Sequence, residues 1–138
     1  MKRNIVRTLV AAGVIAAFAS PALAENVTLS GKNEVPPVDS KAAGSGTVTV
    51  NADKTVTAKI TVTGMTATAA HIHMAAAGAN GPVIVPFTKT ADNTFEAAPG
   101  AKMTDEQYAA YKAGNTYVNV HTAKNPNGEI RGQLVAKS

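Results

Sequence analysis

Three histidines supply all the imidazole in this chain, and they fall into two short segments: Ala70-His71-Ile72-His73 and Tyr117-Val118-Asn119-Val120-His121-Thr122. On a β-strand, residues two apart project from one face about 7 Å apart, close enough for two rings to converge on one ion. Ile72 then points the other way, into a core. In the second segment Val118 and Val120 take the core side, which turns His121 outward beside Asn119 and Tyr117. Neutral imidazoles without thiolate suit Cu(II) or Zn(II). Met74, a soft donor for Cu(I), points by alternation with Ile72 into the core and away from the rings. His-x-His alone is a weak signal, because a solvated strand face has the same pattern. Its weight here comes from every imidazole lying in two segments that fit one face. A metal site and a solvated or structural role are both open at this level.

Parity identifies the neighbours of such a site. If 117–122 pairs antiparallel with the last strand, Val118, Val120, Ile130 and Leu134 line the core, and Asn119, His121, Glu129, Arg131 and Gln133 share the polar face. Arg131, the only arginine after residue 7, then comes within a residue or two of opposing His121, with Glu129 a second neighbour. Asn119, Glu129 and Arg131 are therefore the expected supports of a His71, His73, His121 metal site.

The elements that must position these side chains are strands. Short runs rich in Val, Thr and Ile, separated by Gly, Pro, Asn and Asp, predict strands near 26–31, 46–51, 56–62, 69–74, 83–87, 94–96, 117–122 and 129–136. The fold class is all-β, as two packed sheets or a closed barrel. Asn51-Ala52-Asp53-Lys54 reads as a hairpin turn, Pro36-Pro37 as a loop or bulged edge, and Gly44-Ser45-Gly46 as a flexible turn. One segment differs. Thr104 as cap, Gln107 reaching back to it, early acids at Asp105 and Glu106, and Gly114 as the stop predict a short helix over 104–113. Tyr108 and Tyr111 on it are expected to cover one end of the β core.

Composition excludes several functions. The chain has 138 residues and no cysteine, which removes thiol catalysis and cysteine-ligated zinc. Residues 1–24 read as a secretory signal: basic Lys2, Arg3 and Arg7, an apolar stretch over 9–18, and Ala22-Leu23-Ala24 before the cut. The remaining 25–138 form one domain with ten Lys or Arg against nine Asp or Glu, scattered singly. That surface cannot supply the phosphate contacts of a nucleic-acid binder. No later stretch approaches the ~20 apolar residues of a membrane-spanning helix. The expected protein is periplasmic or secreted, binds no nucleic acid, and does not insert into a membrane once its leader is removed.

Several strings in order resemble the CHRD domain: Leu29-Ser30-Gly31 with Glu34-Val35-Pro36-Pro37-Val38; Ala70-His71-Ile72-His73 with Gly78-Ala79-Asn80-Gly81-Pro82-Val83; and Tyr117-Val118-Asn119-Val120-His121-Thr122 with Asn125-Pro126-Asn127-Gly128-Glu129-Ile130-Arg131-Gly132-Gln133-Leu134. The resemblance covers essentially all of 25–138. It implies a small exported protein with an immunoglobulin-like or Greek-key β-sandwich or barrel, with limited similarity to copper/zinc superoxide dismutases. In those enzymes a His-x-His strand and later histidines hold copper outside a barrel, and an arginine guides the anion. By that likeness His71 and His73 match the pair, His121 is the third ligand, and Arg131 is the analogue of the guide. With no fourth histidine, no histidine-rich zinc loop and no disulfide, the implied site is mononuclear. Copper is the first choice of metal and zinc the second. The expected function is copper sequestration or transport, binding that weakens below about pH 6 as protons compete for imidazole. The alternatives are a copper-dependent redox enzyme of superoxide dismutase type and a structural or adhesive module without metal, presenting threonines such as Thr47, Thr57 and Thr61.

Overall fold

Alternating apolar residues close the chain on itself. In the computed structural model, which describes residues 22–136, eight antiparallel strands form a closed barrel: β1 (Glu25–Ser30), β2 (Ala43–Val50), β3 (Val56–Thr63), β4 (Ala67–Met74), β5 (Val83–Ala91), β6 (Thr94–Ala97), β7 (Thr116–Thr122) and β8 (Ile130–Leu134). Their order around the barrel is β1-β2-β3-β6-β5-β4-β7-β8, with β8 returning to β1 through Ser30 opposite Arg131. Of the two expected arrangements, the closed barrel is the one formed, and closure leaves no sheet edge unpaired. Residues 1–21 of the segment expected to be a secretory signal over 1–24 lie outside the described residues.

The barrel interior is filled by the inward residues of each strand, among them Val27, Val48, Ile60, Ile72, Phe95, Val118, Val120 and Ile130, all buried. Burial of each such side chain contributes about 1.5–3 kcal/mol. Threonines take the opposite parity: Thr47, Thr57, Thr61 and Thr63 are exposed. The helix α1 (Asp105–Lys112) forms as the sequence predicts. Thr104 and Gln107 complete a reciprocal capping box, and Gly114 takes the left-handed stop at φ 80°. Tyr111 joins the core and donates its hydroxyl to Glu25, so the helix covers one end of the barrel.

Three local expectations are corrected. Gly44-Ser45-Gly46 is not a turn but the middle of β2, paired with β1 and β3. Glycine is needed there because strands crowd: a Cβ at Gly46 would sit 2.0 Å from the carbonyl oxygen of Lys59. The strand expected over 83–87 runs on to Ala91, through Pro86, which stands opposite His71. Met74 does not join the core. As the last residue of β4 it is only half-buried.

A second buried layer lies outside the barrel wall. The outward face of β7 and β8 is not solvated, as alternation alone suggests, but covered by the connections 31–42, 75–82 and 123–129. Asn119, Tyr117 and Arg131 on that face are 1%, 1% and 4% exposed, and Glu34 and Glu129 are buried beside them. Polar side chains in such a layer must satisfy one another.

Candidate metal centre

Strand register brings the three histidines together. In the β4–β7 pair, Ala69 stands opposite His121, His71 opposite Asn119, and His73 opposite Tyr117. All six residues project from the outer face. The ring centroids lie 4.8 Å (His71–His121), 5.5 Å (His71–His73) and 5.9 Å (His73–His121) apart. One ligand nitrogen from each falls within 4.8 Å of the others. Tetrahedral ligands about 2.0–2.1 Å from a zinc-sized ion stand roughly 3.3 Å apart, so modest ring rotation is enough to close the set.

Backbone carbonyls orient the rings. His73 Nδ1 donates to the carbonyl oxygen of Gly81 and His121 Nδ1 to that of Pro126, each at 2.9 Å. A carbonyl only accepts, so in both rings Nδ1 carries the proton and Nε2 keeps its lone pair. His71 Nδ1 lies 3.0 Å from His121 Nε2. With the latter bare, His71 is the donor in the metal-free protein. Nε2 of His73 is buried and has no partner among the described residues.

The carbonyls are themselves held in place. Gly81 sits in the 75–82 connection, where its N–H donates to the Tyr117 hydroxyl at 3.1 Å. The Tyr117 ring stacks on His73 with 4.9 Å between centroids and 3° between planes. On Tyr117 rests the Arg131 guanidinium, 3.9 Å from the ring centre. Arg131 donates Nε to Glu34 Oε2 at 3.2 Å, Nη1 to Ala79 O at 2.9 Å and Nη2 to Asn80 Oδ1, and Nη2 also pairs with Glu34 Oε2 at 3.1 Å. The Pro126 turn is held by Glu129, whose carboxylate accepts from Thr122, Asn125 and Ser40 at 2.8–2.9 Å. Burial alone would raise the Glu129 pKa, but those hydrogen bonds, with Lys124 nearby, keep it below the ordinary carboxylate value.

These contacts redefine the expected supports. Arg131 stands opposite Asn119, two residues from opposing His121 as parity predicts, but its N–H groups are taken up by Glu34 and the 75–82 connection. It is therefore not an anion guide but a clamp on the loop that orients His73. Glu129 touches none of the three rings and acts only through the turn carrying Pro126. Asn119 stands opposite His71 in the β4–β7 register, its Oδ1 buried and without a partner among the described residues. Tyr117 was placed beside His121 by parity, but the parts played by Glu34, Gly81 and Pro126 were not legible in the sequence. Two of these act through backbone carbonyls, which leave no side-chain signature, though both lie in the strings 78–83 and 125–134.

The environment of His71 and His73 favours their uncharged form. Burial, then the neighbouring His121 and His73 rings, moves His71 from its ordinary 6.5 down to about 4. Burial likewise lowers His73, against the hydrogen bond to Gly81, which raises it. Proton competition at His71 thus sets in below the pH 6 expected of an ordinary imidazole. In the unfolded chain His71 takes its proton near 6.5, so between 6.5 and 4 the unfolded state binds more protons and stability falls with pH. Metal-free protein is expected to lose about 1–2 kcal/mol through His71 as pH drops across that window, after discounting for partial solvent exposure. Urea unfolding of His71→Gln beside the parent, at several pH values, checks this: equal slopes in both would refute it.

Among the described residues no helix is long and apolar enough to cross a membrane. Compared with models of known families, residues 26–134, well over half the chain, match the CHRD domain. No curated protein and no solved structure matches.

Proposed function

The chain belongs to the CHRD-domain family, and from that premise we propose that it is an exported protein that binds one metal ion through His71, His73 and His121, copper first and zinc second, to sequester or carry it. The observation that carries this reading is the preset tautomer of two rings: Gly81 O and Pro126 O hold protons on Nδ1, which leaves Nε2 of His73 and His121 as bare donors beside His71. A buried imidazole nitrogen without a partner costs free energy unless something positive meets it. A cation entering between the rings takes the place of the proton that His71 shares with His121.

Binding without catalysis is favoured because Arg131, the only arginine on this face, is engaged with Glu34, Ala79 and Asn80. We read the strand order, in which β3 neighbours β6 and β4 neighbours β7, as a Greek-key barrel. An exported location, periplasmic or secreted, follows from the family and from the basic and apolar character of residues 1–24.

Titration of metal-free protein with Cu(II) and Zn(II) against a competing chelator tests the proposal. One equivalent bound with submicromolar affinity is the expected outcome. Binding weaker than millimolar, as for scattered surface histidines, would dismiss it.

A further inference from the structure

On the outer face of the β4–β7 pair lie two buried acceptors. His73 Nε2 and Asn119 Oδ1 are both without a hydrogen-bond partner, and Asn119 is 1% exposed. The orientation of the Asn119 amide is fixed by what surrounds it. Its nitrogen donates to the carbonyl oxygen of Asn127 at 3.4 Å. The same nitrogen flanks Glu34 Oε1: a Cβ placed on Gly128 would lie 2.5 Å from Asn119 Nδ2 and 2.8 Å from Glu34 Oε1. Gly128, at φ 124°, packs its bare backbone against both groups. With the nitrogen turned to a carbonyl and a carboxylate, the oxygen is turned away from both and has no partner among the described residues.

The Nδ1 proton of His73 belongs to Gly81 O, so no proton of the neutral ring lies between Nε2 and the amide oxygen. Asn119 stands directly opposite His71 and one diagonal step from His73 on the same outer face, and two buried acceptors left unpaired in a low-dielectric layer cost free energy that a cation meeting both would offset.

We infer that Asn119 Oδ1 is a fourth, inner ligand of the ion, and that the site is built for a divalent ion, Cu(II) or Zn(II), rather than Cu(I). This rests on the proposed three-histidine reading and extends it. A carbonyl oxygen is a hard donor, matched to divalent ions and poorly matched to Cu(I), which prefers sulfur. Glu34 lies beside the Asn119 amide nitrogen, its Oε1 unpaired and its Oε2 held by Arg131. Glu34 thereby joins the ligand set to Arg131 through one carboxylate.

A crystal structure of the zinc-loaded protein, with Zn(II) titrations of the parent, Asn119→Ala and Asn119→Asp, tests the assignment. The expected results are an Oδ1–zinc distance of about 2.0–2.2 Å, a loss of about 10–100-fold in affinity for Asn119→Ala, and retained or tighter binding for Asn119→Asp. Zinc held by the three imidazoles with Oδ1 beyond hydrogen-bonding distance, or parental affinity in Asn119→Ala, overturns this assignment alone. No zinc or copper bound by the parent protein overturns it together with the three-histidine reading. If Asn119→Ala fails to fold, the parent structure still decides.

Discussion

His121→Ala should weaken Cu(II) and Zn(II) binding by at least about 100-fold, since losing a direct ligand exceeds the 10–100-fold typical of groups that only orient one. The substitution removes one of three ring donors and leaves His71 Nδ1 without its acceptor at 3.0 Å. Little else depends on the side chain. His121 is half-buried, its Nδ1 serves only Pro126 O, and its neighbours Val120 and Thr122 keep their places in the β4–β7 register. Circular dichroism and the unfolding midpoint should therefore stay close to the parent while chelator competition reports the loss. His73→Ala should lower affinity equally, but with a stability cost, because its ring is stacked on Tyr117 and 8% exposed. Parental affinity in either variant would mean that the rings are neighbours without a shared ion.

The largest effect on stability is expected from Arg131→Leu. Both partners of the Glu34–Arg131 pair have side chains only 3–4% exposed, and truncating one partner of a buried pair costs about 3–5 kcal/mol, chiefly because the other is left as a buried, uncompensated charge. Glu34 is already strained in this sense. Burial raises its pKa even with Arg131 beside it. Without the guanidinium its folded-state pKa rises further above the unfolded value, so the carboxyl folds more readily protonated. The penalty in Arg131→Leu should then be greatest at neutral and alkaline pH and ease as pH falls. Urea unfolding at pH 8 and pH 5 measures both halves, and an equal loss at the two pH values would contradict the charge argument. Adding Glu34→Leu to Arg131→Leu should recover part of the loss, because no unpaired charge then remains. Metal affinity should drop as well, since Arg131 holds Ala79 and Asn80 next to the Gly81 carbonyl that sets the His73 tautomer.

Much of the barrel was legible beforehand because strand alternation is a local property. Val118, Val120, Ile130 and Leu134 announce an inward face by parity. The capping box at Thr104 and Gln107 was equally readable, being complete within four residues. Where local rules failed, strand crowding or a strand end was responsible. Gly44-Ser45-Gly46 has the composition of a turn, yet close approach of β3 uses the missing side chain of Gly46 inside a strand. Met74 is the last residue of β4 and is only half-buried there.

The candidate site divides along the same line. His-x-His spacing and the outward parity of His121 were enough to nominate three ligands and to bring Asn119, Glu129 and Arg131 near them. Their roles were not readable. Arg131 on an outward strand position looks like a free cation until the 31–42 and 75–82 connections fold over it. Glu34, 97 positions earlier in the chain, has no local feature that pairs it with Arg131.

From the order of residues alone came the all-β class, the inward and outward faces, the helix and the three imidazoles, because each depends on neighbours a few positions apart. Tertiary structure decided which strands adjoin, which ring nitrogens are bare, and that the outer polar face is buried under loops. Those outcomes depend on contacts between segments tens of residues apart, where burial turns ordinary surface charges and amides into partners that must satisfy one another.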